Sequence, residues 1–444
     1  MPIMDLQKLS NAKLAAACCM ALTGLAGCNK DGPAKPNIIL VMADDQGWGD
    51  MGYNAHPVIK TPNFDEMAKT GLRFDRFYAA APVSSPTRGS VMTGRHPNRY
   101  GCFSWGKTIR PQEITVAEAL KNAGYVTGHF GKWHLGPVRK ESPVSPGNSG
   151  FDEWFSSPNF FDNDPILSSE GKAVKIYGES SMVTVDAALE FIRKHSNNTK
   201  PFFAVVWFGS PHNPHLAAEE DRKIYEGLED RLQHYYGEIT GMDRAFGKLR
   251  QELKTLGTNN NPILWYCSDN GGKTKEYPST GGRGQKGQIY EGRLSVPAIL
   301  EWPDRIPEHR ITNIPCNTSD FYPTLLEIAG VTIEDQPPLD GISLLPLIDN
   351  EMEKRSSPMG FWQYPGSGQV VRSAELMAEL LKEQESGITT IDTSKLALNA
   401  GKINTIYPAY IFPGHSAWLD WPYKLHRIDA NGEDIKFELY NLEA

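Results

Sequence analysis

Four continuous apolar runs limit what this chain can fold into. They occupy residues 38–42 in "NIILVMADDQG", a shorter stretch of "YVTGHFGKWHLG", residues 202–208 in "PFFAVVWFGSPHNPH" and residues 263–267 in "NPILWYCSDNGG". The first, third and fourth do not alternate with polar side chains, so they do not read as strands with one wet face. Strands apolar on both faces need cover on both sides, and helical patterns between the runs can supply it. "TVAEALKNAG" opens with a capping box, Thr115 and Glu118. Val185, Ala188, Leu189 and Ile192 recur at helical spacing. Ile239, Met242, Phe246, Leu249, Leu253 and Leu256 form one stripe stopped by Gly257. "TSDFYPTLLEIAG" is a short helix ending at Gly330. All of these read as scaffold. The expectation is an α/β fold, with a large, mostly parallel central sheet flanked by helices.

The pattern changes after about residue 350. Residues 373–400 read as a polar helix and loop, and "WPYKLHRI" and "IKFELYNL" alternate like two strands joined at "DANGED". A smaller C-terminal α+β subdomain with an antiparallel sheet is expected there. The chain stops at "LYNLEA", on a strand end, which leaves room for a further C-terminal piece. With 444 residues, 40% hydrophobic and 22% charged, the composition is that of an ordinary globular protein. A net charge of -8 and a pI near 5.8 argue against a general nucleic-acid partner.

The N-terminus has its own logic. Lys8 and Lys13 precede a small, apolar stretch at residues 14–27, too short to span a membrane and ordered like a signal peptide. It ends in Leu25-Ala26-Gly27-Cys28, which resembles the lipobox of bacterial lipoproteins, where the cysteine is lipidated after cleavage. The plainer alternative is a secretory signal with an incidental cysteine. Either reading exports the mature protein, and the first makes it a periplasmic or outer-membrane lipoprotein held to the membrane by its lipid. The expected segments are therefore a lipoprotein signal at 1–27, a tether at 28–36, a catalytic domain at 37–355 and the C-terminal subdomain at 356–444. Beyond the leader and Cys28, Cys102, Cys267 and Cys316 remain, an odd number that rules out a fully paired disulfide scaffold.

Each apolar run is followed within a few residues by polar groups suited to chemistry. Asp44 and Asp45 follow the first, Lys132 and His134 the second, His212 and His215 the third, and Asp269 and Asn270 the fourth. Ligands in open α/β sheets bind beyond the carboxyl ends of strands, so these groups are expected on one rim. One Asp after a strand is usually a turn former or cap. Two such sites on separate strands form an all-oxygen donor set, which suits calcium or, less well, magnesium. A lone His or Lys is ordinarily structural or solvated, but Arg88, Lys132, His134, His212 and Lys286 lie beside strand ends or glycines. A divalent cation ringed by cationic side chains calls for a tetrahedral oxyanion ester, phosphate or sulfate. Ser84 in "APVSSPTRGSVMTG" is the candidate nucleophile. Pro86 suits the first turn of a helix, which puts Ser84 at the helix start, with Arg88 one turn on.

Together these residues resemble the type I, formylglycine-dependent sulfatases of the alkaline phosphatase superfamily, and in particular bacterial carbohydrate sulfatases of the serine type. Ser84-Ser85-Pro86-Thr87-Arg88 matches the C/S-x-P-x-R signature, and "GKWHLG", "SPHNPH", "SDNGG" and "SDFYPTLLEIAG" follow in the family's order. A single short pattern arises by chance; five blocks in order, from about residue 35 onward, do not. The resemblance implies an alkaline phosphatase-like fold and a formylglycine made from Ser84 by a serine-type maturase. A plain serine would stall as a stable sulfate ester, whereas a hydrated aldehyde keeps a second hydroxyl with which to expel sulfate. It further implies calcium held by Asp44, Asp45, Asp269, Asn270 and residue 84. Asp269 would help deprotonate the attacking hydroxyl, and Arg88 and His134 would hold the formylglycine, with His134 the base for its collapse. Lys132 and Lys286 would bind sulfate oxygens, and His212 would protonate the leaving oxygen. One departure is visible. Where the family often reads E-G-G-x-R-V-P, this chain has "EGRLSVP", and a local loop change is expected there with Lys286 in place.

A serine-type sulfatase with a lipobox points to a sulfated carbohydrate substrate, with galactose or N-acetylgalactosamine favoured. His215, Trp362, Arg372, His415 and Trp418 are the candidate sugar contacts, with burial in the subdomain core the alternative for the tryptophans. Two other readings compete. One is a phosphodiesterase or phosphonate hydrolase of the same superfamily, and the other is an inactive glycan-binding lipoprotein.

Overall fold

The computed structural model describes residues 35–257, 261–272, 282–284, 287–403, 405, 407, 414–429 and 434–443. The leader, the lipobox with Cys28, most of the tether, Lys286 and the turn at 430–433 lie outside the described residues. Pro36–Ala444 forms one compact unit.

The four apolar runs become β1 (Ile38–Ala43), β3 (Val126–Lys132), β7 (Phe202–Trp207) and β8 (Ile263–Ser268). They are consecutive in the sheet, in the order β8–β1–β7–β3, and each neighbouring pair is parallel. Around them are β2 (Leu72–Tyr78), β4 (Glu153–Ser157), β5 (Ile166–Ser169), β6 (Lys172–Lys175), β9 (Ser295–Glu301), β10 (Arg310–Thr312) and β11 (Cys316–Asn317). The full order is β10–β2–β9–β8–β1–β7–β3–β4–β5–β6, with β11 also on β2, giving eleven strands. β9 runs antiparallel to β8 and β2, and β4, β5 and β6 pair antiparallel at the other edge. The sheet is therefore mixed, around a parallel centre.

Alternate residues of β1 enter two different cores, as the two-residue period of a strand requires. Ile39, Val41 and Ala43 pack with α1 (Pro62–Thr70), α4 (Ser180–His195) and α5 (Asp230–Leu256). Ile38, Leu40 and Met42 pack with α2 (Ser84–Thr93), α3 (Val116–Asn122) and α6 (Phe321–Ala329). Both sequence-predicted stripes face the first of these cores, with Ile39, Val41 and Ala43: Val185, Ala188, Leu189 and Ile192 of α4 are buried, as are Met242, Phe246, Leu249 and Leu253 of α5. The capping box forms at Thr115, whose hydroxyl accepts from the Glu118 N–H. α5 and α6 stop at Gly257 and Gly330, both in the left-handed conformation that glycine adopts without cost.

A second, antiparallel sheet is built from β12 (Met359–Gln363), β13 (His415–Asp420), β14 (Tyr423–Ile428) and β15 (Lys436–Asn441). Met359, Phe361, Ala417 and Leu419 on its inner face pack with Tyr78, Ile289 and Leu294 of the main body. The helix expected near residue 373 is α7 (Ser373–Glu385). It lies on the first sheet: Met377 and Leu380 enter that core, and Gln384 bonds the Ala173 backbone on β6. Among the described residues no helix is long and apolar enough to cross a membrane.

Candidate active site

Because β8, β1, β7 and β3 are parallel neighbours, the residues that follow them meet at one rim. Backbone bonds stitch the loops together: Asp44 N–H donates to Ser210 O at 3.0 Å, and Asp269 N–H to Ala43 O at 3.1 Å. Asp45 and His134 hold left-handed backbone conformations (φ 66° and 55°). Such conformations cost free energy in non-glycine residues and gather where a site imposes them.

Ser84 is the first residue of α2, after an extended Val83, and no side chain caps the helix. Its hydroxyl donates to Asp44 Oδ1 at 3.3 Å and accepts from Lys132 Nζ at 3.3 Å. Arg88, one turn on, is fully buried and binds Asp269 Oδ2 through Nε (3.1 Å) and Nη2 (2.8 Å), while Nη1 donates to Lys132 O. Its guanidinium lies 5.0 Å over the Trp207 ring. Lys132 Nζ donates to Asp44 Oδ2 at 2.7 Å.

Asp44, Asp45 and Asp269 are buried, and one ligand atom from each lies within 4.8 Å of the others. Burial and the Asp44 charge push the Asp269 carboxyl up, against Arg88 and Lys132, which lower it. Burial pulls the Lys132 ammonium down, against Asp44. Asn270 donates from Nδ2 to Asp45 Oδ1 at 2.5 Å, and its buried Oδ1 has no hydrogen-bond partner. An orphaned carbonyl oxygen beside three clustered carboxylates fits an oxygen-preferring divalent cation.

His212 lines the cavity beside Asp45. Its Nδ1 donates to Asn213 O at 2.6 Å, its ring stacks on Phe160 at 4.0 Å, and Nε2 lies 3.8 Å from Asp45 Oδ2. The cavity holds about 820 Å³, with Ser84, His134 and His212 in its wall beside Trp105, Phe160 and Arg372. Trp362 lines a small adjoining cleft that shares Val83, Trp105 and Gly287 with it. The other sugar-contact candidates lie elsewhere. His215 is buried against Glu238 and Tyr235. His415 bonds His426 on the second sheet, and Trp418 is half exposed on β13. Sequence reading missed Trp105 and Phe160, which sit on loops with no strand or motif to mark them. It also missed Arg293, which is fully buried and bound to Asp45 at 3.1 Å. The only signal was its displaced position in "EGRLSVP".

A profile of the sulfatase family matches residues 36–331, and one described as N-sulphoglucosamine sulphohydrolase, C-terminal, matches residues 282–382. The chain belongs to the sulfatase family. N-acetylgalactosamine-6-sulfatase of Canis lupus familiaris is similar to it, at 33% identity over 71% of this chain and 66% of that protein. An ulvan-active sulfatase of Formosa agariphila is 30% identical over 72% and 66%. The chain thus spans just under two thirds of the length of the curated relatives it matches. Among solved structures, Ps i-CgsB in complex with k-i-k-neocarrahexaose superposes with a TM-score of 0.76 at 26% identity, covering 92% of this chain and 86% of that one. This sulfatase-family chain therefore carries the family's fold, with Ser84, His134 and His212 in the wall of one cavity.

Proposed function

We propose that this chain hydrolyses sulfate esters of a sulfated glycan, with galactose or N-acetylgalactosamine the favoured sugar. The observation that carries the reading is Ser84. It sits at an uncapped helix start in the cavity wall, between a carboxylate and a buried lysine, with His134 and His212 in the same cavity.

Residue 84 would be used as formylglycine, made by a serine-type maturase. Asp44, Asp45, Asp269, Asn270 and residue 84 would hold calcium in preference to magnesium. Bound there, the cation and the formylglycine would supply charge neutralisation at a sulfate oxygen and a hydrated carbonyl in place of a plain hydroxyl. The protein groups do the rest. Asp269 takes the proton of the attacking hydroxyl. Lys132, with Lys286 from outside the described residues, steadies the sulfate oxygens. Arg88 and His134 orient residue 84. His212, held by Phe160 and the Asn213 carbonyl, presents Nε2 to the leaving oxygen. Arg372, in the cavity wall, and Trp362, in the adjoining cleft, would meet the sugar. The relatives' names support a glycan substrate, and the leader supports export with a lipid on Cys28.

The test is turnover of matched sulfate and phosphate esters by protein co-produced with the maturase. Faster sulfate turnover, extending to sulfated galactose or N-acetylgalactosamine, is expected; faster phosphate turnover would overturn the reading.

A further inference from the structure

Arg293 belongs to no role described so far, yet it is fully buried and bonds three of the site's loops. Its Nη2 donates to Asp45 Oδ1 at 3.1 Å, Nη1 to the carbonyls of Gly271 and Gly272 (2.8 Å to the latter), and Nε to Pro82 O at 3.4 Å. These acceptors come from three loops: the one after β1, the one after β8, and the one entering α2 just ahead of Ser84. The backbones meet too. Gly271 N–H donates to Arg293 O at 2.8 Å, and a Cβ on Gly271 would sit 2.6 Å from Gly292 O. Asp45 Oδ1 accepts from both Arg293 and Asn270 Nδ2, so the carboxylate is fixed in rotation by two donors on one oxygen.

We propose that Arg293 is a positioning residue for the cation site, orienting the Asp45 carboxylate and locking the 271–272 turn and Pro82 around it. The inference rests on the reading of Asp44, Asp45, Asp269 and Asn270 as cation ligands. A guanidinium is needed because its planar fork offers several fixed donors, whereas an ammonium is a single point on a flexible stem. Charge alone would act the other way: a positive group beside the ligands opposes a cation, so what Arg293 contributes is geometry.

The experiment is calorimetric titration of chelator-treated protein with calcium chloride, for the wild type, Arg293→Lys and Arg293→Gln. Outer-shell partners of metal ligands are worth about 10–100-fold in affinity, and both variants are expected to weaken calcium binding by that factor. A lysine variant with wild-type affinity, or a glutamine variant that binds more tightly, would overturn the assignment. If the wild type takes up no calcium, the cation-site reading fails and the inference falls with it; uptake by the wild type with unchanged affinity in both variants sinks the Arg293 role alone. Should the variants not fold, hydrogen exchange on the chelated wild type decides. Arg293 predicts that peptides covering 82–83 and 271–272 stay protected without cation. Opening of those peptides on chelation would mean that the metal, and not Arg293, holds the loops.

Discussion

Replacing His212 by glutamine separates proton donation from packing. Glutamine can place a hydrogen-bond donor near Nε2 but cannot give up a proton. The imidazole is held by a hydrogen bond to Asn213 O at 2.6 Å and by the Phe160 ring at 4.0 Å. An aromatic pair of this kind is worth about 0.5–1.5 kcal/mol, so losing orientation alone costs roughly tenfold at most. That cost would fall equally on every substrate. General acid catalysis contributes about 10²–10⁴-fold, or roughly 3–5 kcal/mol of barrier, and only where the leaving group needs the proton. An aliphatic sugar alkoxide needs it; a nitrophenolate does not. The assay is kcat/KM of His212→Gln on a sulfated monosaccharide and on nitrophenyl sulfate. The expected result is a loss of about 100-fold or more on the sugar and no more than about tenfold on the aryl ester. Equal losses on both would refute the assignment of His212 as the acid.

Two further predictions concern the frame. Gly131, with φ 97°, lies where a Cβ would sit 2.0 Å from Trp207 O, so Gly131→Ala cannot be accommodated between β3 and β7. It should cost several kcal/mol in urea denaturation and lower the midpoint; a variant within about 1 kcal/mol of wild type would show that the strand pair can yield. Asp243 joins α5 to α1 by accepting from Phe64 N–H at 2.8 Å and Asn63 N–H at 3.1 Å, and burial pushes its carboxyl up to about 6. A raised carboxyl binds its proton more tightly in the folded state, so its contribution to stability falls as pH rises from about 4 to about 6. Relative to Asp243→Asn, wild type should gain up to about 3 kcal/mol on going from pH 7 to pH 4, and a pH-independent difference between the two would contradict the shift.

What the sequence revealed of this molecule follows from where the physics is local. The centre of the sheet was legible because β1, β7 and β8 are buried on both faces and carry no alternation to confuse them with edge strands. The rim was legible for the same reason, since Asp44, Asp269 and Lys132 sit at or just beyond strands whose direction is common. β2 was harder: "LRFDRFY" alternates and is stabilised by antiparallel pairing with a strand more than two hundred residues away. His215 shows the limit of motif reasoning. It shares "SPHNPH" with His212, yet Glu238 and Tyr235 of α5 draw it into the interior. Arg293 is the same lesson reversed. A displaced arginine reads as a loop variation until the fold brings three distant loops around it. Trp105 and Phe160 reach the cavity only through tertiary packing, and α7, placed in a polar C-terminal stretch by the sequence, is drawn onto the first sheet by Met377 and Leu380.

The central claim is that Ser84 works as something other than serine. Mass spectrometry of the peptide containing residue 84, from protein made with a serine-type maturase, tests it most directly. The account predicts a peptide lighter by two hydrogens, reactive toward an aldehyde probe, in a fraction that tracks specific activity across preparations. A fully active enzyme whose residue 84 is unmodified serine would contradict it.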